Sequence, residues 1–99
     1  MNILIDDENL KFSVEEDFDV MWTCKGYYFG SILKHAGQIY RISFFDPVRF
    51  SQDCESMLQL DPIFTEKNIV IIPEVNLERM QNAARWLVDH REIDNLRYE

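Results

Sequence analysis

Residues 38–58, QIYRISFFDPVRFSQDCESML, change hydrophobic period in the middle. Over the first eight, Tyr40, Ile42 and Phe44 alternate with Arg41 and Ser43, the period of two that marks a strand with one covered face. From Phe50 the apolar positions run Phe50, Cys54, Met57 and Leu58, the i, i+4, i+7, i+8 stripe of an amphipathic helix. The junction carries its own start signal. Asp46 offers a side-chain acceptor to the free N–H groups of a first turn. Pro47 follows at the helical position where a missing N–H costs nothing. The chain therefore passes here from a β region into a region that holds both helices.

Upstream, the pattern is β except at EEDFD (15–19), which breaks it and where Ser13 followed by Glu16 can cap at most one helical turn. NILI (2–5) reads as a short strand ended by the polar turn DDEN, and LKFSV (10–14) sets Leu10, Phe12 and Val14 on one face. VMWTC (20–24) alternates again. YYFGSILK (27–34) and QIYRISFF (38–45) join through HAG, where Gly37 supplies the positive φ of a short hairpin loop. Downstream, LDP (60–62) ends the first helix. NIVIIP (68–73) is apolar at four successive positions, which predicts an interior strand. Asn76 caps a second helix with the stripe Leu77, Met80, Ala84, Leu87 and Val88. The order β-β-β-β-β-α-β-α predicts a single α+β domain over residues 1–99. Its sheet, mixed or antiparallel, has about five strands, with both helices packed on one face.

Charge narrows the partners. Eighteen acids against ten bases give −8. Residues 1–19 hold seven of those acids and one base, Lys11, a net −6, which leaves −2 for the other eighty. A field of that sign repels nucleic acid and anionic membranes and attracts basic proteins. It also decides how KGYYFGSI (25–32) is read. That octapeptide is similar to the aromatic motif of RNA-recognition domains at Lys25, Gly26, Tyr27 and Phe29, but departs from it at Tyr28, Gly30 and Ile32. Phosphate neutralisation supplies nearly all non-specific affinity for nucleic acid, and this chain has no basic cluster to provide it. The segment reads as a hairpin strand whose aromatics meet cross-strand partners such as Tyr40 and Phe44. MNILIDDENL is not a secretory signal, and no apolar run approaches the roughly 18 residues of a membrane span. A cytoplasmic protein is expected.

The chain offers no legible catalytic set, metal site or cofactor motif. Cys54 lies on its helix's apolar stripe and Cys24 alternates with Val20 and Trp22, so both read as buried thiols. His35 reads as a solvated loop residue, and His90 sits at a helix end where the dipole favours a cation. What remains is surface. Asp6, Asp7, Glu8, Glu15, Glu16, Asp17 and Asp19 form the candidate acidic surface for a basic protein partner. Trp86, on the polar side of the second helix, is either covered by the tail EIDNLRYE (92–99) or free as an anchor. A second reading places a small-molecule pocket between Trp22, Tyr28, Tyr40 and the helices.

Residues 68–90, NIVIIPEVNLERMQNAARWLVDH, resemble the closing strand and helix of small acidic bacterial proteins, immunity proteins among them. The resemblance implies a non-catalytic domain that neutralises a toxin by binding it. No functional residue carries over.

Overall fold

Phe44 and Phe45 stand on opposite faces of the strand that runs into the first helix, and the helix layer on each face of the sheet follows from that pair. The computed structural model describes residues 2–16, 18, 24–61, 63 and 65–99. Its strands are β1 (Asn2–Asp6), β2 (Lys11–Val14), β3 (Tyr27–His35), β4 (Gln38–Phe45) and β5 (Ile69–Ile71). Its helices are α1 (Pro47–Leu60) and α2 (Leu77–Asp89), and a 3-10 turn (Glu92–Asn95) follows. The five strands form one sheet in sequential order, antiparallel from β1 to β4 and parallel between β4 and β5. The fold is α+β with a mixed sheet, as the element order predicts. Of the predicted strand at 20–24 only Cys24 lies within the described residues, and it is helical rather than extended.

Period-two alternation puts Leu10, Phe12, Val14, Tyr28, Leu33, Tyr40, Ile42 and Phe44 on one face, all buried. α2 closes over them with Met80, Ala84, Leu87 and Val88, and Ile93 of the 3-10 turn completes this core. Phe12 and Phe44 meet edge to face at 6.2 Å, a preferred aromatic geometry. β3 keeps its register against β4 through a bulge between Tyr28 and Ser31. That extra residue lets both remain on the core face. Tyr28 pairs with Phe44 in register, as the hairpin reading of KGYYFGSI requires. Buried Ser31 is satisfied by donating to the Ile42 carbonyl at 2.8 Å.

Both helix starts are built as the sequence specifies. Asp46 accepts from the Arg49 N–H at 2.7 Å, and Asn76 from the Arg79 N–H at 2.8 Å. Each cap is worth about 1 kcal/mol.

Two expectations are corrected. The helices do not share a face. α1 has no buried residue, and it meets the sheet on the side away from α2: Phe50 packs on Phe45 at 5.4 Å and Arg49 lies 4.4 Å over the Tyr27 ring. Tyr27 and Phe45 are register partners on the face opposite Tyr28 and Phe44. An apolar stripe shows that a helix covers something, but not which side of the sheet it covers. β5, moreover, is the last strand of the sheet among the described residues rather than an interior one. Four successive apolar residues report two covered faces and carry no information about the backbone edge. Ile72 is buried, while Ile71 is 43% exposed.

The β3–β4 loop is two residues, Ala36 and Gly37, with φ of 52° and 78°. Positive φ at both central positions is the type I′ condition, for which Asn-Gly is the preferred pair. An L-residue with a Cβ is disfavoured there by about 1 kcal/mol, a penalty that Asn largely escapes. Ala36→Asn is therefore expected to raise stability by about 1 kcal/mol, read as a higher urea midpoint at unchanged slope.

The C-terminal tail is tied down by Asn68, which holds φ 56° just before β5. Its side-chain amide donates to the Arg41 and Arg97 carbonyls at 3.0 and 2.7 Å and accepts from the Arg97 N–H at 2.7 Å. Beyond it Tyr98 packs edge to face on Tyr40, and the Glu99 N–H reaches the Ile39 carbonyl at 2.8 Å. The tail thus runs beside the first half of β4, where β5 does not reach.

Candidate functional site

The parallel ladder between β4 and β5 aims half of the β5 backbone away from the sheet. The Ser43 N–H donates to the Asn68 carbonyl at 3.0 Å, and the Ile72 N–H donates to the Phe45 carbonyl at 2.9 Å. In a parallel ladder the residues between these, Ile69 and Ile71, direct their N–H and C=O groups to the other side. Among the described residues that side has no further strand. It is an open edge of the kind that proteins usually cover.

α2 runs alongside this edge and leaves a trough of about 390 Å³. One wall is Val70, Ile71, Ile72 and Pro73. The other is Arg79, Asn82, Ala83, Trp86 and Leu87, an i, i+3, i+4, i+7, i+8 set that occupies one side of a helix. Asn82 and Ala83 are small, and one turn later Trp86 rises above them. The lining is mainly apolar, with Arg79 and Asn82 the only residues with polar side-chain heads besides the indole N–H. A mainly apolar concavity with a few polar groups has the usual composition of a binding site.

Trp86 is 49% exposed. Its ring stacks on His90 at 4.5 Å and 22°, and His90 Nδ1 lies 3.1 Å from the Trp86 carbonyl. The indole is thus held in place while half of it faces solvent. The tail does not cover it, since residues 97–99 are bound to Asn68 and β4 instead.

The acidic candidates are not gathered into one surface. Asp6, Asp7 and Glu8 lie at the β1–β2 turn, while Glu15 and Glu16 lie past the other end of β2. Four residues of strand separate the groups by about 13 Å. That exceeds the roughly 8 Å over which exposed charges act together at physiological ionic strength. The first group is also partly neutralised. Arg85 of α2 donates to Asp7 at 2.8 Å, and Lys11 approaches Asp6 at 3.9 Å. Asp17 and Asp19 lie outside the described residues.

Cys24 is exposed rather than buried, and Cys54 is half-buried on α1; both are free thiols. His35 is half-buried, with Nδ1 2.7 Å from the Asn9 carbonyl, so it is held more firmly than a solvated loop residue. Tyr28 and Tyr40 belong to the core. The predicted pocket beside them is therefore filled by packing, and Trp22 lies outside the described residues. Among the described residues no three His, Cys, Asp or Glu side chains come together as metal ligands, and no helix is long and apolar enough to cross a membrane.

The trough itself was not visible in the sequence. Its only local signal is Pro73 closing an apolar run three residues before a helix cap. No family model, curated protein or solved structure matches the chain.

Proposed function

We propose that this domain is a non-catalytic protein-interaction module that receives an extended segment of a basic protein partner in the trough between β5 and α2. The observation that carries this reading is the coincidence of an open strand edge, an apolar trough and a half-exposed tryptophan. A peptide laid beside β5 pairs its backbone with Ile71, and alternate side chains enter the trough, the mode of strand addition. Trp86 supplies the large, ordered contact area typical of interface hot spots. Arg79 and Asn82 offer donors to the incoming carbonyls. The net charge of −8 speeds encounter with a cationic protein even though the carboxylates do not form one patch. Residues 68–90, which resemble the closing unit of immunity proteins, build both walls. Neutralising a basic toxin by occupying it is the biological form of this reading.

The trough volume of about 390 Å³ also falls in the range of small-molecule sites, which makes an apolar metabolite the second reading. Titration with a library of basic extended peptides tests the first. Trp86→Ala is expected to weaken the best binder by about 30- to 1000-fold, a loss of about 2–4 kcal/mol. Because the ring is half exposed, stability should change by less than about 1 kcal/mol. Strand addition also slows hydrogen exchange at the Ile71 amide, which a small apolar ligand would leave unprotected. Equal peptide binding by wild type and Trp86→Ala, or binding without protection of Ile71, would overturn the strand-addition reading.

A further inference from the structure

The open edge of β5 borders a second concavity besides the trough. Val70 to Pro73 line the trough, and the two residues before them, Asn68 and Ile69, line a concavity of about 400 Å³. The two therefore follow one another along a single strand. The second is the polar one, with Lys67, Arg97, Asn95 and Glu66 in its lining. Among the described residues neither Lys67 nor Arg97 has an ion-pair partner, whereas Lys11, Arg41, Arg49, Arg85 and Arg91 each have one. Arg97 is also fixed at its root, because buried Asn68 bonds both of its backbone groups. The acids nearby are engaged elsewhere. Glu66 accepts from the Ser43 hydroxyl at 3.2 Å, and Ser43 shares the α1 side of β4 with Phe45. Glu92 accepts from Asn95 at 2.8 Å, Asp94 lies 3.8 Å from Arg91, and Glu99 pairs with Arg41. A further donor is the backbone N–H of Ile69, which the parallel ladder turns away from the sheet.

We infer that this second concavity captures the free carboxyl terminus of the segment that lies in the trough, which then runs antiparallel to β5. This capture presupposes strand addition in the trough and names the part of the partner involved. A carboxylate is the group these donors match, since ionised acceptors make the shorter and stronger bonds to cations and to backbone N–H groups. Held chain termini are a recurring mode of peptide recognition. Direction follows from position. A segment whose last residue lies beside Ile69 has its earlier residues beside Val70, Ile71 and Ile72, and so runs opposite to β5. In an antiparallel pair, alternate residues exchange both backbone bonds. The last residue therefore pairs with Ile69, where its carboxylate accepts the N–H, and the third from the end pairs with Ile71. Residues second and fourth from the end lie opposite Val70 and Ile72, which pack with Phe44 on the α2 face. Their side chains are the ones that enter the trough. The partner's overall positive charge answers the −8 of the chain, and its terminal carboxylate meets a place where two cations are left unpaired.

Short lysine-containing peptides with apolar residues second and fourth from the end, made as free acids and as carboxyl-terminal amides, test this by calorimetric titration. The free acid is expected to bind about tenfold more tightly than the amide. In the double variant Lys67→Gln, Arg97→Gln that preference is expected to shrink to less than about twofold. Both positions are exposed, and Gln at 97 keeps the backbone bonds to Asn68, so a urea midpoint near that of wild type reports an intact fold. Hydrogen exchange separates terminus capture from the strand addition beneath it. The free acid is expected to protect the amides of both Ile69 and Ile71. Peptides that protect Ile71 with no preference for the acid leave strand addition standing and overturn the capture. Peptides that leave Ile71 unprotected in both forms overturn the two together. An acid preference that persists in the double variant overturns the capture as well. So does an amidated peptide ending in aspartate that binds as tightly as the free acid, because the cations then take an acidic side chain.

Discussion

Asn68→Ala is expected to lower the unfolding free energy by about 3–4 kcal/mol and to release the C-terminal tail. The side chain makes three hydrogen bonds, to the Arg41 carbonyl and to both backbone groups of Arg97. Each is worth about 1 kcal/mol net, and more where the abandoned partner stays out of water. Asn68 also holds φ 56°, a left-handed conformation that costs Ala about 1–2 kcal/mol and Asn little. Asn68→Gly separates the two contributions. It tolerates the backbone but makes no side-chain bonds, so its loss is expected to be smaller, about 2–3 kcal/mol. Urea titration gives the magnitudes. Hydrogen exchange at the Glu99 amide, which bonds to the Ile39 carbonyl at 2.8 Å, reports whether the tail has come away. An Ala variant within about 1 kcal/mol of wild type, with Glu99 still protected, would show that the tail is held elsewhere.

Phe44→Ala is expected to cost about 3–5 kcal/mol. Phe44 has no exposed surface, meets Phe12 edge to face, and lies between its register partners Tyr28 on β3 and Val70 on β5. Those neighbours sit on three other strands of the same sheet, so they have little freedom to collapse into the space left. Against a typical total of about 5–15 kcal/mol, the loss is a large share of the stability of the fold. The contrast lies on the other layer. Met57→Ala, on α1, removes a side chain that is 42% exposed and is expected to cost less than about 1 kcal/mol in dilute solution. Chemical denaturation of both variants at micromolar concentration checks the asymmetry. Comparable losses would mean that α1 is packed as tightly as α2.

Much of the site lay beyond sequence reasoning because each of its parts depends on a neighbour distant in the chain. Trp86 was legible as a candidate from its helical phase. Whether the tail covered it depended on Asn68, which captures Arg97 from 29 positions away. Asp7 reads as one of a run of free acids until Arg85, 78 positions later, comes to its side. Ile69 and Ile71 read as part of a buried strand because their apolar side chains report on faces, whereas the trough arises from an open edge.

The sequence by itself determined the elements and their caps. Alternation specifies β2 and β4, the stripes specify α1 and α2, and Asp46 and Asn76 start the helices with side chains that reach only three residues ahead. These are decided by backbone sterics and by the hydrophobic pattern of a short segment, both written locally. Only the tertiary structure decided which face each helix covers, which strand lies at the edge and which charges are paired. Those outcomes depend on strand order and on the path of the connections. Each trades chain entropy against burial over the whole domain, and no short window of residues encodes that balance.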